Sequence, residues 1–135
     1  IGIYKDKELI ETISSEKKTS EILLPLLVRS MQRYDLENII YTRGPGSYMA
    51  IKLTYITLKT IEILRGIKCL GCSAFALNNG APIKAMGNLY FTKEKETIIT
   101  KKIEQPVNAE FTLPQSIQDL PLDEESTPEY VLPAV

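Results

Sequence analysis

Between positions 48 and 65 the apolar side chains fall on two sides of a single helical wheel. Met49, Leu53, Ile56, Ile63 and Leu64 cover one broad side, Ile51, Tyr55 and Leu58 the other, and Ala50 and Ile61 stand between them. Only a narrow strip near Lys52 and Lys59 is strongly polar. A surface helix carries one apolar stripe, so a helix apolar on more sides is buried on more sides. Two readings stay open: the chain's own elements cover both faces, or a protein partner covers the second. The helix is preceded by the apolar run Ile39-Ile40-Tyr41 and a Gly-Pro-Gly-Ser turn at residues 44–47. Strand, glycine turn and helix together predict an α/β unit. Ser47 is placed to cap the helix with its hydroxyl, and Gly66 to end it in the left-handed conformation, with Arg65 at the negative end of the dipole.

The remaining pattern predicts a hairpin, Ile1 to Lys5 and Glu8 to Ser15, around an Asp6-Lys7 turn. The polar run Ser14 to Ser20 offers Thr19 or Ser20 as N-cap of a helix reaching about Tyr34. Leu23, Leu27, Met31 and Tyr34 centre its apolar face, extended by Leu24 and Val28. Pro25, inside that helix, removes a backbone donor and should bend it, at about 3 kcal/mol unless neighbouring structure adapts. Further strands are expected at Ile67 to Cys72, Ile83 to Met86, Leu89 to Thr92 and Thr97 to Ile103. A short helix is expected to start in Ser73 to Leu77, a turn lies at Asn78-Asn79-Gly80, and the charged turn Lys93 to Glu96 joins the last two strands. Gln115 to Leu120 could make one or two helical turns.

Charge adds an asymmetry to this picture. The formal net charge is −1, yet residues 1–103 carry +6 and the remainder −7. From Glu104 onward the chain holds five of its eight prolines and no Lys or Arg, which predicts an extended arm, packed at Phe111, Leu113, Tyr130 and Val131 or left disordered. A near-neutral total argues against a general nucleic-acid binder. No run approaches the roughly 20 apolar residues of a membrane span, and no signal peptide is visible. A cytoplasmic protein without membrane attachment is expected.

Candidate chemistry is sparse. The turn at Arg43, Gly44, Gly46 and Ser47 can hold an anion, because free N–H groups and the helix dipole point into it. It is not a Walker A loop, and Met49 stands where a dinucleotide fingerprint has its third glycine. Cys69 and Cys72 have redox or half-zinc spacing, but they lie in a strand-like run that sends their side chains to opposite faces. The chain contains no histidine, which removes Ser-His and Cys-His pairs and the common metal sites. No metal site and no catalytic residue are therefore expected.

The stretch Thr42-Arg43-Gly44-Pro45-Gly46-Ser47-Tyr48-Met49-Ala50-Ile51-Lys52 resembles the Gly-Arg-Gly-Pro-Gly-Ser-Phe-Thr-Gly-Leu-Arg signature of the bacterial TsaB (YeaZ) family. The following helix, the strand through Cys72-Ser73-Ala74, and the upstream Thr19-Ser20-Glu21-Ile22-Leu23-Leu24-Pro25 are similar to that family as well. The resemblance implies an ASKHA-type (actin/Hsp70-like, RNase H-like) α/β lobe with a mixed sheet and two main helices, and a truncated second lobe. In those terms residues 1–80 form the N-terminal lobe, 81–103 strands of a reduced second lobe, and 104–135 the Pro-rich acidic arm.

The same resemblance implies a function. Family members, once labelled glycoproteases, are non-catalytic partners of TsaD, the metal-bearing subunit that makes threonylcarbamoyladenosine (t6A) in tRNAs reading ANN codons. They support assembly with the ATPase TsaE. Thr19 stands where the TsaD pattern has its first metal-binding His. Met49-Ala50 and Lys52 replace Thr-Gly and Arg, Ile83-Lys84-Ala85 replaces a later Asp-Ala-Arg, and the family's opening strand has no counterpart before Ile1. The expected partner interface comprises Leu23, Leu24, Leu27, Met31, Met49, Leu53, Ile56 and Thr60, with a homodimer in the isolated subunit. No cofactor is expected on this chain alone, ATP or ADP is expected at the complex interface, and tRNA is reached only through the complex. The alternative is an ASKHA-type small-molecule phosphotransferase or hydrolase using the Gly-Pro-Gly-Ser turn.

Overall fold

A computed structural model of the chain describes residues 1–86, 88–95, 97–105, 107, 111–123 and 127–129, without the side chains of Thr19, Ser20 and Met86. Among these described residues the protein is mixed α/β, with two α-helices and several small sheets. The antiparallel hairpin of β1 (Gly2–Lys5) and β2 (Glu8–Thr12) leads into α1 (Thr19–Arg33). Asp6 and Lys7 take φ values of 52° and 70°, the positive pair that a two-residue hairpin turn demands. Next come β3 (Asn38–Gly44), α2 (Tyr48–Arg65) and β4 (Lys68–Ser73), where β3 and β4 pair in parallel. A 3₁₀ turn at Ala74–Leu77 precedes an antiparallel meander of β5 (Ile83–Met86), β6 (Leu89–Glu94) and β7 (Thr97–Lys102). The expected mixed sheet is thus divided: parallel and antiparallel pairing both occur, in separate sheets among the described residues.

The ends of α2 follow from its flanking residues. Ser47 Oγ accepts a hydrogen bond from the Ala50 N–H at 3.5 Å, and Gly66 closes the helix at φ 70° with its N–H donating to the Glu62 carbonyl. The start of α1 departs from expectation. Lys18, not Thr19 or Ser20, holds the N-cap position, and no side chain caps it. Pro25 sits within a helix that runs unbroken to Arg33. There the Glu21 carbonyl receives no i+4 donor, a loss offset by what the helix buries.

Among the described residues, two clusters of buried side chains stand out in the core. In the first, Leu27 of α1 and Leu58 and Ile61 of α2 pack on Tyr41 of β3 and on Ile67 and Cys69, flanked by Leu23, Met31 and Tyr55. Burying each large aliphatic side chain stabilises the fold by about 1.5–3 kcal/mol. The second gathers Ala74, Phe75, Ile83 and Phe91 beneath the meander. Outside the core, Glu11 of β2 ties down the end of α1: Arg33 and the Tyr34 hydroxyl each donate to its carboxylate, at 2.9 and 2.6 Å.

Residues 115–120 form no helix. Instead Ser116 bridges Glu8 of β2, the Leu9 N–H donates to the Gln115 carbonyl, and the Ile117 N–H to the Lys7 carbonyl. The strand β2 offers its outer edge, and a segment framed by Pro114 and Pro121 reaches it more readily than it forms a helix. Leu113 is half-buried near Gly2 and Tyr4 donates to the Pro114 carbonyl, while Phe111 is exposed. Tyr130 and Val131 lie outside the described residues. No helix among the described residues is long and apolar enough to cross a membrane.

Candidate functional site

The two apolar sides of α2 have different fates. Ile51, Leu58 and Ile61 turn inward and are buried. Met49, Ile56, Ile63 and Leu64 face solvent, with Ile63 and Leu64 each 75% exposed. Leu53 is half-buried and Thr60 exposed, its hydroxyl donating to the Ile56 carbonyl at 2.8 Å. The chain's own elements therefore cover one face of α2 and leave the other open.

On α1 the division falls elsewhere than expected. Leu27 is 7% exposed within the first core cluster, and Leu23 and Met31 pack against that cluster. These three residues of the expected interface are turned into the protomer. In so short a chain the central stripe of α1 is needed to close the core over β3 and α2. Its outward apolar side chains are Leu24 and Val28. Periodicity marks Val28, Ile63 and Leu64 as apolar, and only packing distinguishes them as members of the exposed set.

The turn between β3 and α2 brings Arg43, Gly44, Gly46 and Ser47 together, with a cis peptide at Gly44–Pro45. Its surroundings are supplied by the acidic arm. The Arg43 guanidinium lies 2.8 Å from an Asp123 carboxylate oxygen and 3.9 Å from one of Glu129. Its Nε donates to the Thr127 carbonyl at 2.6 Å. Gly44, at φ 125°, has the Glu129 carbonyl oxygen only 2.7 Å from where a Cβ would stand, so the arm's close approach requires glycine here. Charge asymmetry is the signal in the sequence for this contact, although it names no pair.

Cys69 and Cys72 are both buried free thiols. Cys69 Sγ donates to the Leu58 carbonyl in α2, whereas strand alternation turns Cys72 to the opposite face. Burial pushes the Cys72 thiol up to about 11, with the Asp123 carboxylate adding to the effect, and pushes Cys69 upward too. Burial likewise drives the Tyr41 hydroxyl to about 12. Such groups stay protonated and inert near neutrality. Among the described residues, no three His, Cys, Asp or Glu side chains cluster as metal ligands. An open groove of about 190 Å³ lies between α1 and the hairpin ends, lined by Ile1, Ile13, Ser15, Lys17, Ile22 and Leu26.

No known family profile matches the chain, and no curated protein matches it.

Proposed function

We propose that this chain is a non-catalytic partner subunit of the machinery that makes threonylcarbamoyladenosine in tRNA, built as a short ASKHA-type lobe. In this reading it grips a TsaD-like subunit through α1 and α2, supports assembly with a TsaE-like ATPase, and works in the cytoplasm. ATP or ADP belongs to the complex interface, and tRNA is met only by the complex. Isolated, the same surface pairs with its own copy. The observation that carries the reading is that Leu24 and Val28 of α1 and Met49, Ile56, Ile63 and Leu64 of α2, large apolar side chains on two packed helices, are all solvent-exposed. The Thr42–Lys52 motif supports the choice of partner.

The enzymatic alternative draws no comparable support. The turn's arginine is already engaged by the chain's own carboxylates, and Ser47 Oγ serves the helix cap. Co-purification with a TsaD homologue from the same source tests the proposal. Wild-type chain is expected to be retained and the Ile56→Asp variant lost. Equal absence of retention for both would reject it.

A further inference from the structure

Spacing, and not apolarity alone, sets the outer face of α2 apart. Met49, Ile56 and Ile63 recur at intervals of seven and are 68, 50 and 75% exposed. Leu53 and Thr60, also seven apart, alternate with them, so the steps from Met49 to Ile63 run 4-3-4-3. That is the period of a helix seam, in which side chains of one helix enter the gaps between those of another. At 1.5 Å per residue the seam is about 21 Å long. Its polar member is satisfied, because the Thr60 hydroxyl donates to the Ile56 carbonyl at 2.8 Å.

The two borders of the seam differ. Along one lie Lys52 and Lys59, along the other Ala50, Thr57 and Leu64. Lys52 Nζ stands 5.9 Å from the centre of the Tyr48 ring, and Lys59 Nζ 3.1 Å from a carboxylate oxygen of Glu62, the only acidic residue of α2. The Lys59 side chain is 49% exposed, so that pair contributes little and leaves the ammonium open to a second carboxylate.

A second copy of the chain brings no carboxylate to this border. Laid antiparallel, its own Lys52 and Lys59 meet the lysines; laid parallel, Thr57 and Leu64 do. An acidic border on a different helix answers both charges. A membrane surface fits less well. An interfacial helix is polar opposite its apolar face, whereas Ile51, Leu58 and Ile61 put that side of α2 in the core.

We propose that the outer face of α2 receives a helix of another protein, one with an apolar heptad seam of its own and with Asp or Glu along the border that meets Lys52 and Lys59. The inference rests on the reading of this face as an interface and adds the chemistry of what covers it.

Two synthetic helical peptides test it, alike in a Leu heptad seam and differing only at the border positions, Glu in one and Lys in the other. Like charges on its own borders keep each peptide from pairing with itself. Binding to the folded chain is read by fluorescence anisotropy. At about 0.1 M NaCl the Glu peptide is expected to bind at least about tenfold more tightly than the Lys peptide. At about 1 M NaCl, where the screening length is about 3 Å, the preference should fall below about twofold. Lys52→Glu combined with Lys59→Glu should reverse it, and Ile56→Asp should abolish binding of both peptides. If the double variant loses its circular dichroism signal, the wild-type salt series decides. Equal binding of the two peptides would overturn the acidic border and leave the interface reading in place. Binding of neither, or Ile56-dependent sedimentation of the chain with phosphatidylserine vesicles, would overturn the helical occupant, while co-purification judges the interface reading separately.

Discussion

Ile56 and Leu58 stand two positions apart on α2, and the first is 50% exposed while the second is 2% exposed. The pair marks the two faces of one helix, one spent on this protomer's core and one left over. Opposite responses to substitution are expected. Leu58→Ala should cost about 2–5 kcal/mol in urea denaturation, since it empties a packed site. Ile56→Asp should change stability by less than about 1 kcal/mol while weakening self-association seen by sedimentation. Equal unfolding by both would mean that the outer face is structural.

Leu27 sharpens the same distinction on the other helix. Its place in the core predicts that Leu27→Asp unfolds the chain, by loss of circular dichroism signal, before any effect on association can be read. Val28→Asp, on the exposed side, should keep the signal and reduce association. A folded Leu27→Asp protein would contradict this packing.

Two glycines separate backbone strain from steric contact. Gly66, at φ 70°, has nothing within 4 Å of the position a Cβ would take, so Gly66→Ala should cost only the left-handed penalty of about 1–2 kcal/mol. Gly44→Ala meets the Glu129 carbonyl oxygen at 2.7 Å and Ile51 at 3.0 Å. Its cost should exceed that of Gly66→Ala, because steric contact adds to a strain of about 1–3 kcal/mol. Thermal denaturation of the two variants gives the comparison, and the reverse order would contradict the arm's position.

Much of this fold is legible in the sequence because its determinants are local. Ser47 and Gly66 mark both ends of α2 by the chemistry of their own side chains, and Asp6-Lys7 sits between two strand-like runs. Cys69 and Cys72 go to opposite faces by strand alternation alone. What is not legible depends on distant partners. Ser116 pairs with Glu8, and Arg43 with Asp123, across more of the chain than a periodicity window spans. Helical propensity near residues 115–120 loses to an available strand edge. The wheel of α1 shows how wide its apolar face is, but Leu27 and Val28 are separated only by where α2 and β3 press.

Acidity should loosen the brace between β2 and α1. Hydrogen bonds from Tyr34 and then Arg33 hold the Glu11 carboxyl below the ordinary carboxylate range. A lowered folded value means that its contribution is complete above the unfolded value of about 4.3 and disappears as pH falls through the folded one. The stability difference between wild type and Glu11→Gln should therefore be constant near neutrality and shrink below about pH 4. Urea titrations across that range provide the check, and a difference that grows on acidification would contradict the assignment.

The claim on which the rest depends is that the outward apolar faces of α1 and α2 exist to be covered by another subunit. Amide hydrogen exchange on the chain alone and mixed with a TsaD homologue tests it most directly. The account predicts new protection concentrated in Thr19–Arg33 and Tyr48–Arg65. Binding that leaves both helices unchanged and protects the β5–β7 meander instead would contradict it.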